Sequence, residues 1–446
     1  MSVFDKKRLG DEVFKLDIER MRLGWYSDKY FANISRMLAA LSAQGYTFAG
    51  SHGRPIPAPP SAVRTGDLHV EMQWFTRRPG RTLVVGVDKA LAILRHGAGV
   101  WEGDRFAGTW DHLEVEAVQD GSLVQSDADL LHVQPVLRVR GRYRDFALLE
   151  TPTLGVLTRG SRVATNVYET LIAARGKPVL FFPARFDAHE VQAADGYAYN
   201  LAVQRFNRDF AGRLGPFVST DAQGDWWGGA GSGTVAHAAI ACFLGDTAEA
   251  MWAFATTLPP EIPRIALVDF NNDSVRDSLT TLERMFRHYR EAIDAGDAAG
   301  ARRFVLFGVR LDTSSSIRDV NVPPVGDASL DLGVSPRLVV AVRQALDRAS
   351  ESWAIPDVWR ERAAEYCRSV KIVVSGGFTA ERIRHFEHLS VPVDIYAVGS
   401  ALFANAGPTV TDYTADVVRV RIGNDWCPMA KVGRAAGENP ELERVR

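Results

Sequence analysis

The sequence predicts an α/β protein: a barrel of β/α units, preceded by a small α+β domain and followed by a short C-terminal extension. Three observations carry that expectation. From Glu150 onward, short apolar runs at 179–182, 265–268, 304–309, 372–374 and 395–398 alternate with helical patterns at 161–174, 273–295, 336–349 and 379–389. Continuous apolar strands between amphipathic helices indicate a parallel sheet covered on both faces. Polar and glycine residues then collect just after each run: Arg185-Phe186, Asp269, Arg310 with Asp312, Ser375-Gly376-Gly377 and Gly399-Ser400. A barrel presents such residues at its functional face, which favours it over an open doubly wound sheet. Finally, the chain changes character near residue 148, and again after Ala406.

Taken in order, residues 1–147 mix both kinds of element. The stretch 30–41 has Phe31, Ile34, Leu38 and Leu41 at helical spacing, whereas 68–72, 82–87 and 133–139 read as strands. Four prolines make 54–60 a loop. Residues 148–405 form the barrel. In the extension, 406–446, residues 413–422 alternate like a half-exposed strand, and the tail from Gly433 is exposed or draped on another element.

Composition narrows the function classes. The 446 residues suffice for two or three domains, and the formal net charge of −2, with both signs interspersed, gives no basic surface for nucleic acid or membrane. No apolar run approaches the roughly 20 residues of a membrane helix. Residues 1–17 lack a signal-peptide core. Cys242, Cys367 and Cys427 show no paired spacing, which argues against a disulfide framework or a cysteine zinc site. The expectation is a cytoplasmic protein.

The stretch most suggestive of chemistry is Gly229-Ala230-Gly231-Ser232-Gly233-Thr234-Val235-Ala236-His237. Glycine amides beside a helix start suit an anion, and a histidine just past them can act on phosphate as base, donor or nucleophile. By itself the pattern equally describes a flexible loop and a packed histidine. It does not stand alone. Ser27-Asp28-Lys29-Tyr30, Gly233-Thr234-Val235-Ala236-His237, Leu267-Val268-Asp269, Gly308-Val309-Arg310-Leu311-Asp312-Thr313, Ser375-Gly376-Gly377 and Val398-Gly399-Ser400 occur in this order across residues 25–405. As an ordered set they resemble the nicotinate phosphoribosyltransferase family, related to the nicotinamide and quinolinate phosphoribosyltransferases.

The resemblance implies an irregular α/β barrel, a C-terminal segment returning to the first domain, and a homodimer with active sites near the interface. It implies transfer of phosphoribose from 5-phosphoribosyl 1-pyrophosphate to nicotinate, yielding nicotinate mononucleotide and pyrophosphate in NAD biosynthesis and salvage. Mg²⁺ accompanies the phosphates, and ATP is a co-substrate in many members. Substitution at the anomeric carbon needs cations for the leaving pyrophosphate more than a protein nucleophile. On this reading His237 is phosphorylated by ATP, and Thr234, in the turn before it, binds substrate. Asp269 and Asp312 serve ribose hydroxyls, magnesium waters or developing positive charge. Arg310 and Arg185 face the substrate carboxylate, Tyr30 and Phe186 sandwich the ring, and Ser375, Gly376, Gly377, Gly399 and Ser400 hold the 5′-phosphate.

Departures from the family pattern matter. Asp312-Thr313-Ser314-Ser315-Ser316 stands where Asp-Ser-Gly-Asp is commoner, one carboxylate fewer, so no direct metal ligand is assigned. Ala397-Val398-Gly399-Ser400 replaces Gly-Val-Gly-Thr, and Arg185-Phe186 replaces paired arginines. The tail has no cysteine cluster, hence no expected structural zinc. The competing readings are a quinolinate or nicotinamide phosphoribosyltransferase, or a non-catalytic pyridine-nucleotide sensor.

Overall fold

The computed structural model describes residues 7–127 and 129–446. Residues 1–6, the start of the stretch read as lacking a signal-peptide core, lie outside them. Among the described residues no helix is long and apolar enough to cross a membrane.

The strands are β1 (His69–Thr76), β2 (Gly80–Leu83), β3 (Gly99–Glu102), β4 (Arg105–Gly108), β5 (Glu114–Ala117), β6 (Leu123–Ser126) and β7 (Leu137–Arg142). They continue with β8 (Val179–Phe181), β9 (Arg264–Leu267), β10 (Leu306–Leu311), β11 (Lys371–Val374) and β12 (Ile395–Val398). The last three are β13 (Tyr413–Ile422), β14 (Asp425–Pro428) and β15 (Glu443–Arg444). One sheet, ordered β14-β13-β1-β7-β5-β15, is antiparallel. The C-terminal strand β13 therefore lies directly against β1, and the tail does not hang free.

The second sheet is parallel, ordered β8-β12-β11-β10-β9. From β9 to β12 each strand pairs with its successor, and β12 returns to β8. That is the order of a barrel wall. Beyond β8 the wall continues only as single bridges, Phe181 to Val218 and Val218 to Gly231. No pairing joins this edge to β9 among the described residues. The expected closed barrel is thus met in part. Residues 211–236 carry seven glycines and a proline, too little β-forming side chain for a full strand to complete the ring.

Core burial follows strand alternation. Val179, Phe181, Ala266, Leu267, Ile372, Val374, Tyr396 and Val398 pack in the large cluster shared with the surrounding helices. Leu180, Ile265, Val373, Ile395 and Ala397 form a separate small cluster with Phe182 and Phe217. The parallel sheet is apolar on both faces, as its uninterrupted runs required.

The helix expected at 161–174 begins eleven residues earlier, as Glu150–Ala173. Pro152 and two glycines obscure its start in the sequence. Pro152 sits in the first turn, where its missing N–H costs nothing. Gly160 is there for contact: a Cβ at this position would lie 2.5 Å from the Val85 carbonyl oxygen. The helix thereby presses against the chain leaving β2 and locks the first domain to the parallel sheet.

Candidate functional site

Two short helices follow the glycine stretch, His237–Cys242 and Thr247–Thr257. His237 opens the first of them. Its Nε2 stands 3.0 and 3.1 Å from the two carboxylate oxygens of Asp269, which follows β9. The imidazole is 45% exposed and the Asp269 side chain 9%. Burial raises the Asp269 pKa; His237 opposes the rise and the Asp312 charge adds to it.

Arg310 is the centre of this end of the sheet. As a β10 residue it sits between Val309 and Leu311, both wholly buried. Its Nη2 donates to the Val235 carbonyl at 2.9 Å, tying β10 to the segment that carries His237. Among the described residues its Nε is buried with no hydrogen-bond partner, a state shared by the Nε atoms of five other arginines, and here the open donor lies at the strand ends. Burial lowers its pKa, while Asp312 and Asp269 hold it up. The guanidinium lies 5.9 Å from the centre of the Phe182 ring.

Asp312 leads directly to the next strand end. Ser375 Oγ donates to Asp312 Oδ1 at 2.7 Å, and Ser375 N donates to the Leu311 carbonyl. Gly376 and Gly377 follow with φ of +86° and +72°, the left-handed region that favours glycine. Arg382 braces this turn: Nη1 donates to the Gly376 carbonyl at 2.8 Å and Nη2 to the Val334 carbonyl at 2.7 Å.

The β8 and β12 ends form the adjoining part. Phe182 N donates to the Val398 carbonyl at 2.9 Å. Arg185 lies 5.0 Å from the centre of the Phe186 ring, and both residues are exposed. Gly399 has φ of −108° and ψ of −114°. A Cβ there would fall 2.6 Å from the half-exposed Phe186 ring, which would have to move. Ser400 starts the short 3₁₀ turn Ser400–Phe403, and Thr234 stands just ahead of the buried Val235.

Twelve of the expected residues thus lie along one end of the parallel sheet, linked by these contacts or directly adjacent to residues that are. Tyr30 is the exception. Its ring is 57% exposed on the helix Lys29–Ala43, packs 4.3 Å from Phe31, and its hydroxyl donates to Asp28 Oδ2. It makes no contact with the strand ends of its own chain among those described. The reason is helical phase: Phe31 turns into the domain, which directs its neighbour outward. Phe182 and Arg382 were not among the expected residues. In the sequence Phe182 reads as the end of the apolar run, although a polar neighbourhood begins one residue later. Arg382 is hidden in a helical pattern.

Among the described residues no three His, Cys, Asp or Glu side chains converge as a metal cage. Asp269 and Asp312 feel each other's charge, which suits contact with a cation through its water shell better than a closed cage.

A partly buried cation, two carboxylates and glycine turns at the C-terminal ends of parallel strands make a site suited to an anionic, phosphate-bearing substrate. Known proteins agree with that class. Residues 61–161 match the family model described as quinolinate phosphoribosyl transferase, N-terminal domain. The structure resembles nicotinate-nucleotide pyrophosphorylase from Pyrococcus furiosus, with 25% identity, a TM-score of 0.61, and coverage of 96% of this chain and 84% of that one. Its fold is also that of human nicotinic acid phosphoribosyltransferase, at 17% identity and a TM-score of 0.53, over 90% of this chain and 75% of that one. No curated protein sequence matches. These likenesses support a pyridine phosphoribosyltransferase class for the chain.

Proposed function

We propose that the chain is a nicotinate phosphoribosyltransferase, converting nicotinate and 5-phosphoribosyl 1-pyrophosphate to nicotinate mononucleotide and pyrophosphate, coupled to ATP hydrolysis. The observation that carries the choice of substrate is Arg310. A partly buried guanidinium with a buried, open Nε donor, beside the Phe182 ring, suits one carboxylate on a flat heterocycle. Nicotinamide would want an acid there. Quinolinate, with two carboxylates, is the second reading, because the N-terminal match is to a quinolinate family model. On the nicotinate reading, Arg310 and the exposed Arg185 would meet the single carboxylate.

The remaining groups fit the transfer. Asp269 and Asp312, after the adjacent strands β9 and β10, would stabilise a developing ribose oxocarbenium ion. The Gly376-Gly377 and Gly399-Ser400 turns would receive the 5′-phosphate. Mg²⁺, brought with the pyrophosphate, would be met by Asp269 and Asp312 and would neutralise charge on the leaving group. If Nε2–H of His237 donates to Asp269, its Nδ1 is left as the nucleophile toward the ATP γ-phosphorus. Tyr30, directed away from its own site, would serve the site of a second copy in a homodimer.

Turnover with nicotinate, nicotinamide and quinolinate, each with and without ATP, tests the reading. Nicotinate should be the preferred acceptor, with ATP raising its use. Release of CO₂ from quinolinate at a higher kcat/KM would install the second reading instead.

A further inference from the structure

Arg159 touches none of the residues assigned above to substrate, yet it meets three elements, two of which carry such residues. Its Nε and Nη2 each donate to the Asp195 carboxylate at 2.9 Å, a bidentate pair at the start of the helix Gln192–Phe210. Its Nη1 lies 2.8 Å from Asp187 Oδ2, immediately after Arg185-Phe186. Its guanidinium stands 5.3 Å from the centre of the Phe403 ring, at the end of the 3₁₀ turn that begins with Ser400. The Arg159 side chain is 22% exposed, Asp195 3% and Asp187 42%.

We infer that Arg159 is a positioning residue, clamping the 182–191 loop against the turn after β12 so that Phe186 stays seated on Gly399. The pair with Asp195 anchors the guanidinium and leaves its third edge for Asp187. A planar fork can hold two carboxylates at once, which a lysine cannot reproduce. Asp187 is fixed in turn by the Ala188 amide, which donates to its Oδ1 at 2.8 Å. Phe186 is half-exposed and makes its close approach to a glycine that grips nothing. Its placement therefore depends on the backbone one residue away, and Asp187 is where that backbone is tied down. The inference rests on the proposed pyridine site for its kinetic consequence only.

The decisive variant is Asp187→Asn, because Asp187 is partly exposed and its loss should leave the melting temperature almost unchanged. Expected are a KM for nicotinate raised about five- to tenfold, a kcat within about twofold, and faster hydrogen exchange of amides 184–191. Arg159→Met should raise KM at least as much and also lower the melting temperature by releasing buried Asp195. Arg159→Lys should recover part of the stability but little of the KM. Adding Asp187→Asn to Arg159→Met should change KM no further, since both remove one interaction. Unchanged exchange and KM in Asp187→Asn would overturn the clamp and leave Arg159 as a partner of Asp195 alone. The exchange measurement needs no turnover. Faster exchange in a protein that uses neither nicotinate nor quinolinate would refute the substrate reading and retain the clamp.

Discussion

Replacing Arg310 is the sharpest test of how this site selects its acceptor. In Arg310→Ala the structure loses a cation between Asp269 and Asp312, the donor to Val235, and the open Nε. The loss to stability is one partly buried hydrogen bond, about 1 kcal/mol by the usual balance. It is offset in part by no longer burying a guanidinium. The loss to catalysis should be larger. Truncating one partner of a desolvated charge pair costs about 2–4 kcal/mol, which at 1.36 kcal/mol per decade is about a 30- to 900-fold fall in kcat/KM for nicotinate. Nicotinamide use should fall much less, because no carboxylate is left unpaired. Arg310→Lys keeps charge without the fork, and should fall between. The assay is the kcat/KM ratio of nicotinate to nicotinamide, with melting temperature as a control for folding. An Arg310→Ala protein with wild-type nicotinate kinetics would refute the assignment, as would an unmodified protein that uses both acceptors equally.

Other perturbations separate the remaining roles. His237→Asn should abolish ATP hydrolysis and ATP stimulation while slow ATP-independent synthesis persists. The wild type incubated with γ-labelled ATP should carry acid-labile, base-stable label on His237, and its absence together with no ATP effect would leave an uncoupled transferase. Gly399→Ala puts a methyl where the Phe186 ring lies, so the ring should swing into solvent and KM for nicotinate should rise severalfold. Asp120 offers a test away from the site. Its carboxyl is pushed up to about 8 by burial and by the negative charge of Asp88. A carboxyl whose pKa is raised on folding binds a proton in the native state that the unfolded chain has released above pH ~4. Stability should therefore decline as pH rises from about 4 to 8. Asp120→Asn keeps an oxygen for the Gly86 and Val87 amides and should flatten melting temperature across that window.

The repeated part of the fold was legible because it is written in uninterrupted apolar runs. The strand expected at 395–398 and that at 413–422 coincide with β12 and β13, and the helix expected at 273–295 is Ser274–Asp294. What periodicity could not carry was closure of the wall. The edge past β8 is made of isolated bridges at Val218 and Gly231, which leave no stretch of alternation to read. The Glu150–Ala173 helix reads short for the opposite reason. Gly155, Gly160 and Pro152 look like breakers when each residue is weighed alone, yet Gly160 is needed only because Val85 passes so close.

The site follows the same division. Residues on or just after a strand, such as Asp269, Arg310, Asp312 and Ser375, were readable because the strand itself fixes where they point. Residues whose position depends on another element were not. Gly399 reads as a turn glycine, and nothing in the sequence reveals that the Phe186 ring lies where its Cβ would stand. Phe186 depends in turn on a loop held at Asp187 by Arg159, a residue of the Glu150–Ala173 helix. The whole of β8 separates Arg159 from Asp187 in the chain, so each reads alone as an ordinary surface charge. Only the packing of that helix beside the loop makes them a pair, and no periodicity in either segment encodes the meeting.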